Sequence, residues 1–507
     1  MSIGRSHAVS LLGMDGHVVE VEAHLALGLP AFTIVGRPDP AISEARERIR
    51  AAVQSCGLTF PARRITVNLL PADLRKAGSF DVAMAIAVLR AAGVAPHAPE
   101  RVVHLGELGL DGRIHPVRGV LPAVHAAVRA GFTRVVVPAG NLAEAALVPG
   151  VEVAGAHHLA ELIARYGGDV EVPDDLGEPI DVAPVEPADE PDLADVLGQA
   201  DARFALEVAA AGAHHLFLVG PPGTGKTMLA SRLPGLLPDL TEAEAVEVTS
   251  LHSVAGVFDP AGGLITRPPL EAPHHTASAA AVVGGGSGIP RPGAASRAHL
   301  GVLMLDEAPE FASRVLETLR QPLESGHLVI DRAAGSARYP ARFQLVLAAN
   351  PCPCGLSSGN GIGCTCSSIQ RRRYLSRLSG PLLDRVDLQV DVLPSNAAVL
   401  AGEPGEPTAQ VALRVRQARE RMRRRWAGTP WTTNAEVPGA WLRRNHRMDR
   451  EAMSGLTRAV DRGTLSLRGA DRVQRVAWTL ADLAGRERPG SEEVGAAMTL
   501  RIRGSHG

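Results

Sequence analysis

Apolar residues along this chain recur with two different periods, and the switching between them divides the sequence into blocks. Over residues 1–166, short Val/Leu/Ile runs (HVVEVEAHL, RRITVNLL, RVVVPA, VEVAGA) carry strand patterning. They alternate with Ala-rich stretches of helical period, AISEARERIRAAVQSCG and FDVAMAIAVLRAAG. This block predicts an α/β or α+β domain. Residues 167–192 lack any basic residue and are punctuated by proline, which predicts a flexible acidic linker. Residues 193–395 resume with a helical stretch, DARFALEVAAAGAH, a buried strand, HLFLVG, and a continuing α/β pattern. After a second Pro/Gly/Glu break, residues 396–507 show helical period in QVALRVRQARERMRRRW and RVQRVAWTLADLAG, which predicts a small all-helical domain. No internal repeat is evident.

Composition agrees with this division. A chain of 507 residues exceeds what one core sustains, and about 150 residues per domain gives about three. With 45% hydrophobic and 21% charged residues and no long apolar run, no membrane span is expected. The start, MSIGRSHAVSLLGMDG, lacks the basic, apolar and cleavage regions of a signal peptide, so the cytoplasm is the expected compartment. A net charge of −2 offers no global pull on a polyanion, so any nucleic-acid contact must come from local basic patches. Aromatic residues at 3% argue against a platform of stacked bases, which leaves backbone contacts. Among 52 basic residues only Lys76 and Lys226 are lysines, which makes each a candidate for a role a guanidinium cannot fill.

Lys226 has such a role. Gly220, Pro221, Pro222, Gly223, Thr224, Gly225, Lys226 and Thr227 fit the phosphate-loop pattern, directly after the strand HLFLV and before a helix opening MLASRL. Glycines let backbone N–H groups wrap the phosphates of ATP, the lysine reaches the β- and γ-phosphates, and Thr227 ligates Mg²⁺. A second apolar run, GVLMLDEAPEF, delivers Asp306 and Glu307 to a strand end. There Asp306 can hold the magnesium and Glu307 can polarise the attacking water. A third buried strand, FQLVLAAN, ends in Asn350, placed to sense the γ-phosphate if its strand lies between the other two.

Four of the five cysteines, Cys352, Cys354, Cys364 and Cys366, fall within NPCPCGLSSGNGIGCTC. Two C-x-C pairs with Gly and Ser between them suit one tetrahedral Zn²⁺, although zinc pairs usually have wider spacing. Free thiols and redox-active pairs stand as the alternatives. A metal here would staple a polar loop and hold Arg371, Arg372 and Arg373 for DNA or for a neighbouring subunit.

The order of these pieces, with EVTSLHSVAG, APHHT, LRQPLESG and SGPLLDRVDL, resembles the ComM/YifB family of magnesium-chelatase-like AAA+ ATPases. The resemblance is nearly full length. It implies a P-loop AAA+ core with a C-terminal helical lid, assembled as a hexameric ring with ATP between subunits. It also implies DNA branch migration, as a helicase, during natural transformation. Arg385 is then the candidate arginine finger, and Arg468, with Arg472 as runner-up, the second sensor. Gly198 and Gln199 match the turn near the adenine. The insert between residues 251 and 296 and the hairpin HLVIDRAAGSARYPARFQ would face the pore, where Arg332 and Arg338 could grip a DNA backbone. Glu271 weakens an electrostatic role for that insert, and His274 and His275 are read as structural.

Residues 1–166 resemble the Lon-type protease domain, a ribosomal-protein-S5-like α/β fold. The nucleophile's place falls on Phe80 and that of the catalytic lysine near Leu121. Without a Ser-Lys pair there is no activated nucleophile. A non-proteolytic binding or oligomerising domain is therefore expected, with Lys76 facing phosphate or a neighbouring subunit. Two other functions fit the shared core: a chelatase motor for metal insertion into a porphyrin, and a chaperone-like ATPase.

Overall fold

The computed structural model describes residues 2–35, 40–71, 78–176, 190–286, 290–332, 335–357, 363–394 and 405–501. Lys76 and residues 177–189 of the acidic segment lie outside them.

The N-terminal block is built on a seven-stranded mixed sheet. Its centre is the hairpin of Ser2–Leu12 and Asp15–Ala26, paired antiparallel over its whole length. Burial alternates along Asp15–Ala26, as expected of a strand with one face on a core. Arg64–Leu70 pairs antiparallel on one flank, while Val103–His104, Arg134–Pro138 and Glu152–Ala156 extend the other flank in parallel. The helix Asp81–Ala91 is almost wholly buried against the hairpin. Such burial explains why its sequence, DVAMAIAVLRA, shows little amphipathic contrast.

The second sheet has five strands, all parallel. Its order places Leu270–Glu271 at one edge, then Val302–Leu305, Gln344–Ala349, Leu216–Val219 and finally Leu388–Asp391. The three middle strands are buried at every position, so they read as unbroken apolar runs rather than alternations.

The C-terminal block is helical. Its longest helices, Thr408–Arg425 and Leu467–Leu483, pack on the helix Ala200–Gly212 of the second block and on each other. All four tryptophans gather here: Trp426 meets Trp441 edge-on at 5.7 Å and Trp478 at 6.4 Å, and Trp431 meets Trp441 at 4.9 Å. The scarce large aromatics are thus spent on a core.

The acidic segment is anchored where it enters the second block. Asp192 accepts hydrogen bonds from the backbone N–H of Ala194 and Thr408, and Glu190 forms a two-pronged pair with Arg267. The described end of this linker is therefore fixed. The N-terminal block also docks on the second. Ser253, on the helix Glu242–Ala255, donates its hydroxyl to the buried Glu144 carboxylate, and Gly119 N–H donates to the Ser253 carbonyl at 3.3 Å. Among the described residues no helix is long and apolar enough to cross a membrane.

Candidate active site

In a parallel sheet the strand C-terminal ends share one edge, and the loops leaving that edge make the site. Gly220 follows Val219 there. Its backbone runs so close to the Val392 carbonyl that a Cβ would stand 2.2 Å from that oxygen. Gly223 and Gly225 take left-handed φ values of 76° and 88°, which only glycine adopts without strain. Together they close the loop over the start of the helix Lys226–Ser231.

Lys226 is buried, and its Nζ donates to the Gly220 and Pro221 carbonyls at 2.9 and 2.8 Å and to Oδ1 of Asn350 at 3.2 Å. Burial lowers its pKa, while the charges of Asp306 and Glu307 act to raise it. Asn350 reaches the lysine because its strand lies between the phosphate-loop strand and the acidic strand, the arrangement that a sensing role would need. Thr227 donates its hydroxyl to Oδ2 of Asp306 at 2.6 Å. The two hard oxygen donors thus converge as a magnesium site needs, one from the helix and one from the strand end.

Glu307 takes a left-handed φ of 50°, rare for a residue with a side chain. The turn sends successive acids to different partners: Asp306 faces Thr227, while Glu307 Oε2 lies 3.1 Å from His275 Nδ1. The sequence reading treated His275 as structural. Its ring instead touches the carboxylate that would polarise water. Glu271 also has a defined task, a bidentate pair with Arg297 at 2.8 and 2.7 Å. Gly198 and Gln199 both have positive φ, and Gln199 Nε2 donates to the Leu393 carbonyl at 2.6 Å and to that of Thr224 at 3.4 Å. This turn leans directly on the phosphate loop.

Arg385 is elsewhere. It precedes the N-terminal end of Leu388–Asp391, whose register is Leu216 with Leu388, so at least about 10 Å of strand separates it from its own phosphate loop. It pairs with Glu324 and donates to the Pro381 carbonyl. Burial lowers its pKa, and the positive charges of Arg320, Arg472 and Arg468 add to the effect. Arg468, exposed near the start of the helix Leu467–Leu483, is thus close enough to Arg385 for its charge to act on it. Arg472 is committed to the buried Asp387 at 2.5 Å.

The cysteine loop returns to the nucleotide end. Cys352 Sγ lies 3.3 Å from Cys354 and 3.8 Å from Cys364, Cys354 lies 3.6 Å from Cys364, and all four sulfurs fall within 4.8 Å of one another. A tetrahedron with 2.3 Å Zn–S bonds has edges of about 3.8 Å, so the donor set fits zinc. Burial pushes Cys352 up to about 11, whereas the Leu356 N–H first, with the Cys352 thiol, brings Cys354 down to about 6. Gly355, with φ of 79°, sits so near Pro222 that a Cβ would be 2.5 Å from its ring. The loop thus rests on the phosphate loop. Residues 358–362 lie outside the described part.

Of the basic candidates, Arg371 donates to Ser357 at 3.0 Å, and Arg372 and Arg373 are exposed on the helix Ser368–Leu375. Arg332 is exposed on the hairpin of His327–Arg332 and Gly335–Pro340. Arg338 lines a cleft of about 890 Å³ between that hairpin, the helix Glu242–Ala255 and the N-terminal block. Phe80 is fully buried, and Leu121 is buried beside Glu144.

Comparison with known proteins agrees with this geometry. The family model "Magnesium chelatase, subunit ChlI" matches residues 192–400, its C-terminal counterpart 405–501, and "Subunit ChlI of Mg-chelatase" 21–141. The chain is 40% identical to competence protein ComM of Haemophilus influenzae over 99% of this chain and 98% of that protein. This chain belongs to the ComM/YifB family of magnesium-chelatase-like AAA+ proteins. YifB of Escherichia coli is likewise 40% identical over 95% of this chain and 94% of its own, and a Mycobacterium tuberculosis protein is 54% identical over the full length of both. Lon protease 2 of Bacillus subtilis is 32% identical over 27% of this chain and 26% of its own, a partial likeness. Membership makes the protein an AAA+ ATPase, with ATP and Mg²⁺ as its cofactors.

Proposed function

We propose that this family member is an ATP-driven, ring-forming motor acting on DNA as a branch-migration helicase, with no fixed sequence preference. Lys226, Thr227, Asp306, Glu307 and Asn350 form the subunit's own half of each site; Gly198 and Gln199 bound the adenine end. Arg385 and Arg468 complete a neighbour's site. The separation of Arg385 from its own phosphate loop supports this reading, because it leaves the guanidinium free to serve a triphosphate held by a neighbouring subunit. A closed ring, with six as the expected number, satisfies every site.

When bound, magnesium offsets phosphate charge, held by Thr227 and Asp306. The chain's own groups do the rest. Lys226 grips the phosphates, Glu307 accepts the proton of the attacking water, Asn350 orients that water, and a neighbour's Arg385 offsets charge in the transition state. Cys352, Cys354, Cys364 and Cys366 would hold zinc, which would tie down the loop that rests Gly355 on Pro222 and presents Arg371, Arg372 and Arg373. Arg332 and Arg338 contact DNA phosphates. The N-terminal domain is non-proteolytic, since Phe80 fills the nucleophile's place inside the core and, among the described residues, no lysine stands near Leu121.

Full-length similarity to a competence protein supports DNA as the substrate. The 38 kDa magnesium-chelatase subunit of Rhodobacter capsulatus is 30% identical over only 31% of this chain, which favours the DNA motor over a chelatase motor. ATPase activity with and without branched DNA, coupled to a branch-migration assay, tests the proposal. Stimulation and migration are expected; neither would remove it.

A further inference from the structure

The helix Thr408–Arg425 carries more arginines than its packing consumes. Arg414 pairs with Glu207 and Glu406, Arg425 with Asp482, and Arg421 donates to the Asp482 carbonyl. Arg416 and Arg423 are exposed, and among the described residues neither side chain has a hydrogen bond or an ion pair. They are seven residues apart, two helical turns, and so share one face with Arg419 between them.

That face is one wall of a groove of about 610 Å³, whose opposite wall is the segment Pro238–Thr241 entering the helix Glu242–Ala255. Arg419 donates only to the Ala210 carbonyl, at 3.0 and 2.7 Å. Burial, then the charge of Arg423, brings its pKa down to about 10. The acids nearby are occupied. Asp239 pairs with Arg267 at 2.6 Å and Glu420 with Arg424 at 3.0 Å. Glu244 accepts the Thr241 N–H and hydroxyl, and Glu436 the N–H groups of Thr432 and Thr433. Three guanidinium groups thus line one groove without a carboxylate partner, an arrangement that a bound anion relieves.

The span selects the anion. Arg416 and Arg423 are about 10 Å apart along the helix axis at 1.5 Å per residue, so with Arg419 between them the guanidinium groups form a row rather than one cluster. Such a row suits an extended polyanion, whose successive phosphates can each meet a different guanidinium. We propose that the Arg416–Arg419–Arg423 groove at the junction of lid and core binds the phosphodiester backbone of a nucleic-acid strand. This site is separate from the hairpin and cysteine-loop arginines, and it rests on the DNA reading above.

The test uses the full chain, a fluorescent 30-base-pair duplex and inorganic polyphosphate as probes, with sodium chloride titrated. Each lost phosphate contact reduces the slope of log K against log salt by about 0.9. Arg416→Glu/Arg423→Glu is expected to flatten the duplex slope by about 2 and to weaken polyphosphate, with basal ATPase unchanged. Arg416→Lys/Arg423→Lys should keep wild-type binding, which separates charge from folding. An unchanged duplex slope in the Glu variant overturns the inference while leaving the DNA motor standing. Wild-type binding to polyphosphate but not to duplex, with polyphosphate weakened in the Glu variant, overturns the nucleic-acid assignment of the groove, while the DNA motor is judged separately by the branch-migration assay. Binding of neither probe overturns the inference.

Discussion

His275 Nδ1 stands 3.1 Å from Oε2 of Glu307, so the segment after the edge strand Leu270–Glu271 holds the carboxylate assigned to water activation. One carboxylate oxygen is thereby fixed while the other stays available. Removing the ring should cost orientation rather than chemistry. His275→Ala is expected to lower kcat for ATP about tenfold with KM unchanged, whereas Glu307→Gln should lower it about 100-fold or more. Steady-state ATPase assays on both variants decide this, and equal losses would mean that His275 does more than position.

Asn350 shares the lysine ammonium with two backbone carbonyls, so its loss leaves Lys226 other acceptors. Asn350→Ala should therefore bind a fluorescent ATP analogue within about threefold of wild type, while hydrolysis drops about 100-fold. Lys226→Ala should abolish binding itself. Loss of binding in the asparagine variant would contradict a sensing role.

The separation of Arg385 from its own phosphate loop makes a prediction about mixtures. Arg385→Ala alone should lose about 10³-fold or more in ATPase rate. Mixed with Lys226→Ala subunits it should recover activity, because its intact phosphate loop then faces a neighbour that still carries Arg385. Arg468→Ala should behave in the same way, as it lies with Arg385. Recovery failing over the whole range of mixing ratios would show that these arginines serve their own subunit.

What the sequence showed of this site, and what it hid, follows the length scale of each interaction. The phosphate loop was legible because eight consecutive residues carry its chemistry, and Asp306-Glu307 because a buried strand announces its own end. Asn350 needed one topological fact, the strand order, which no local pattern contains. The His275–Glu307 contact was missed because it joins the segments that follow two different strands, and adjacent loop histidines have no periodic signature. Glu271 weakens an electrostatic role for the insert, and its bidentate pair with Arg297, a partner that lies 26 residues away, has no local signature. The neighbourhood of Arg385 and Arg468 depends on how the lid packs, through Arg472 and Asp387, and no spacing along the chain encodes it.

The sulfur geometry predicts about one zinc per chain in reduced protein. Cys352→Ser/Cys364→Ser should lose it. Because Gly355 rests on Pro222, metal loss should also weaken ATP binding, by about tenfold, without unfolding the sheet. Elemental analysis, nucleotide titration and circular dichroism on the same preparation separate these effects. A zinc-free wild type with full ATP affinity would leave the cysteines as thiols.

Acidification should destabilise the parallel sheet and its junction with the helical block. Leu345 N–H donates to His215 Nδ1 at 3.0 Å, which requires that nitrogen to be unprotonated, and burial lowers the His215 pKa to about 4. An unfolded histidine titrates near 6.5, so the unfolded chain binds the proton first. The stability contributed by neutral His215 is therefore complete above about pH 6.5 and declines toward pH 4, with an upper bound of about 3 kcal/mol. Asp387 acts in the same sense at lower pH: burial pushes it up, but Arg472 and the two histidines hold it well below the usual range. Its contribution is present above about pH 4 and lost as the pH falls further. His104, buried in the N-terminal block and lowered to about 3, adds its own acid sensitivity, so the comparison must be between variants. Urea melts of wild type and His215→Gln at pH 7.5 and 5.5 should show a smaller loss in the variant, and equal losses would remove His215 from the account.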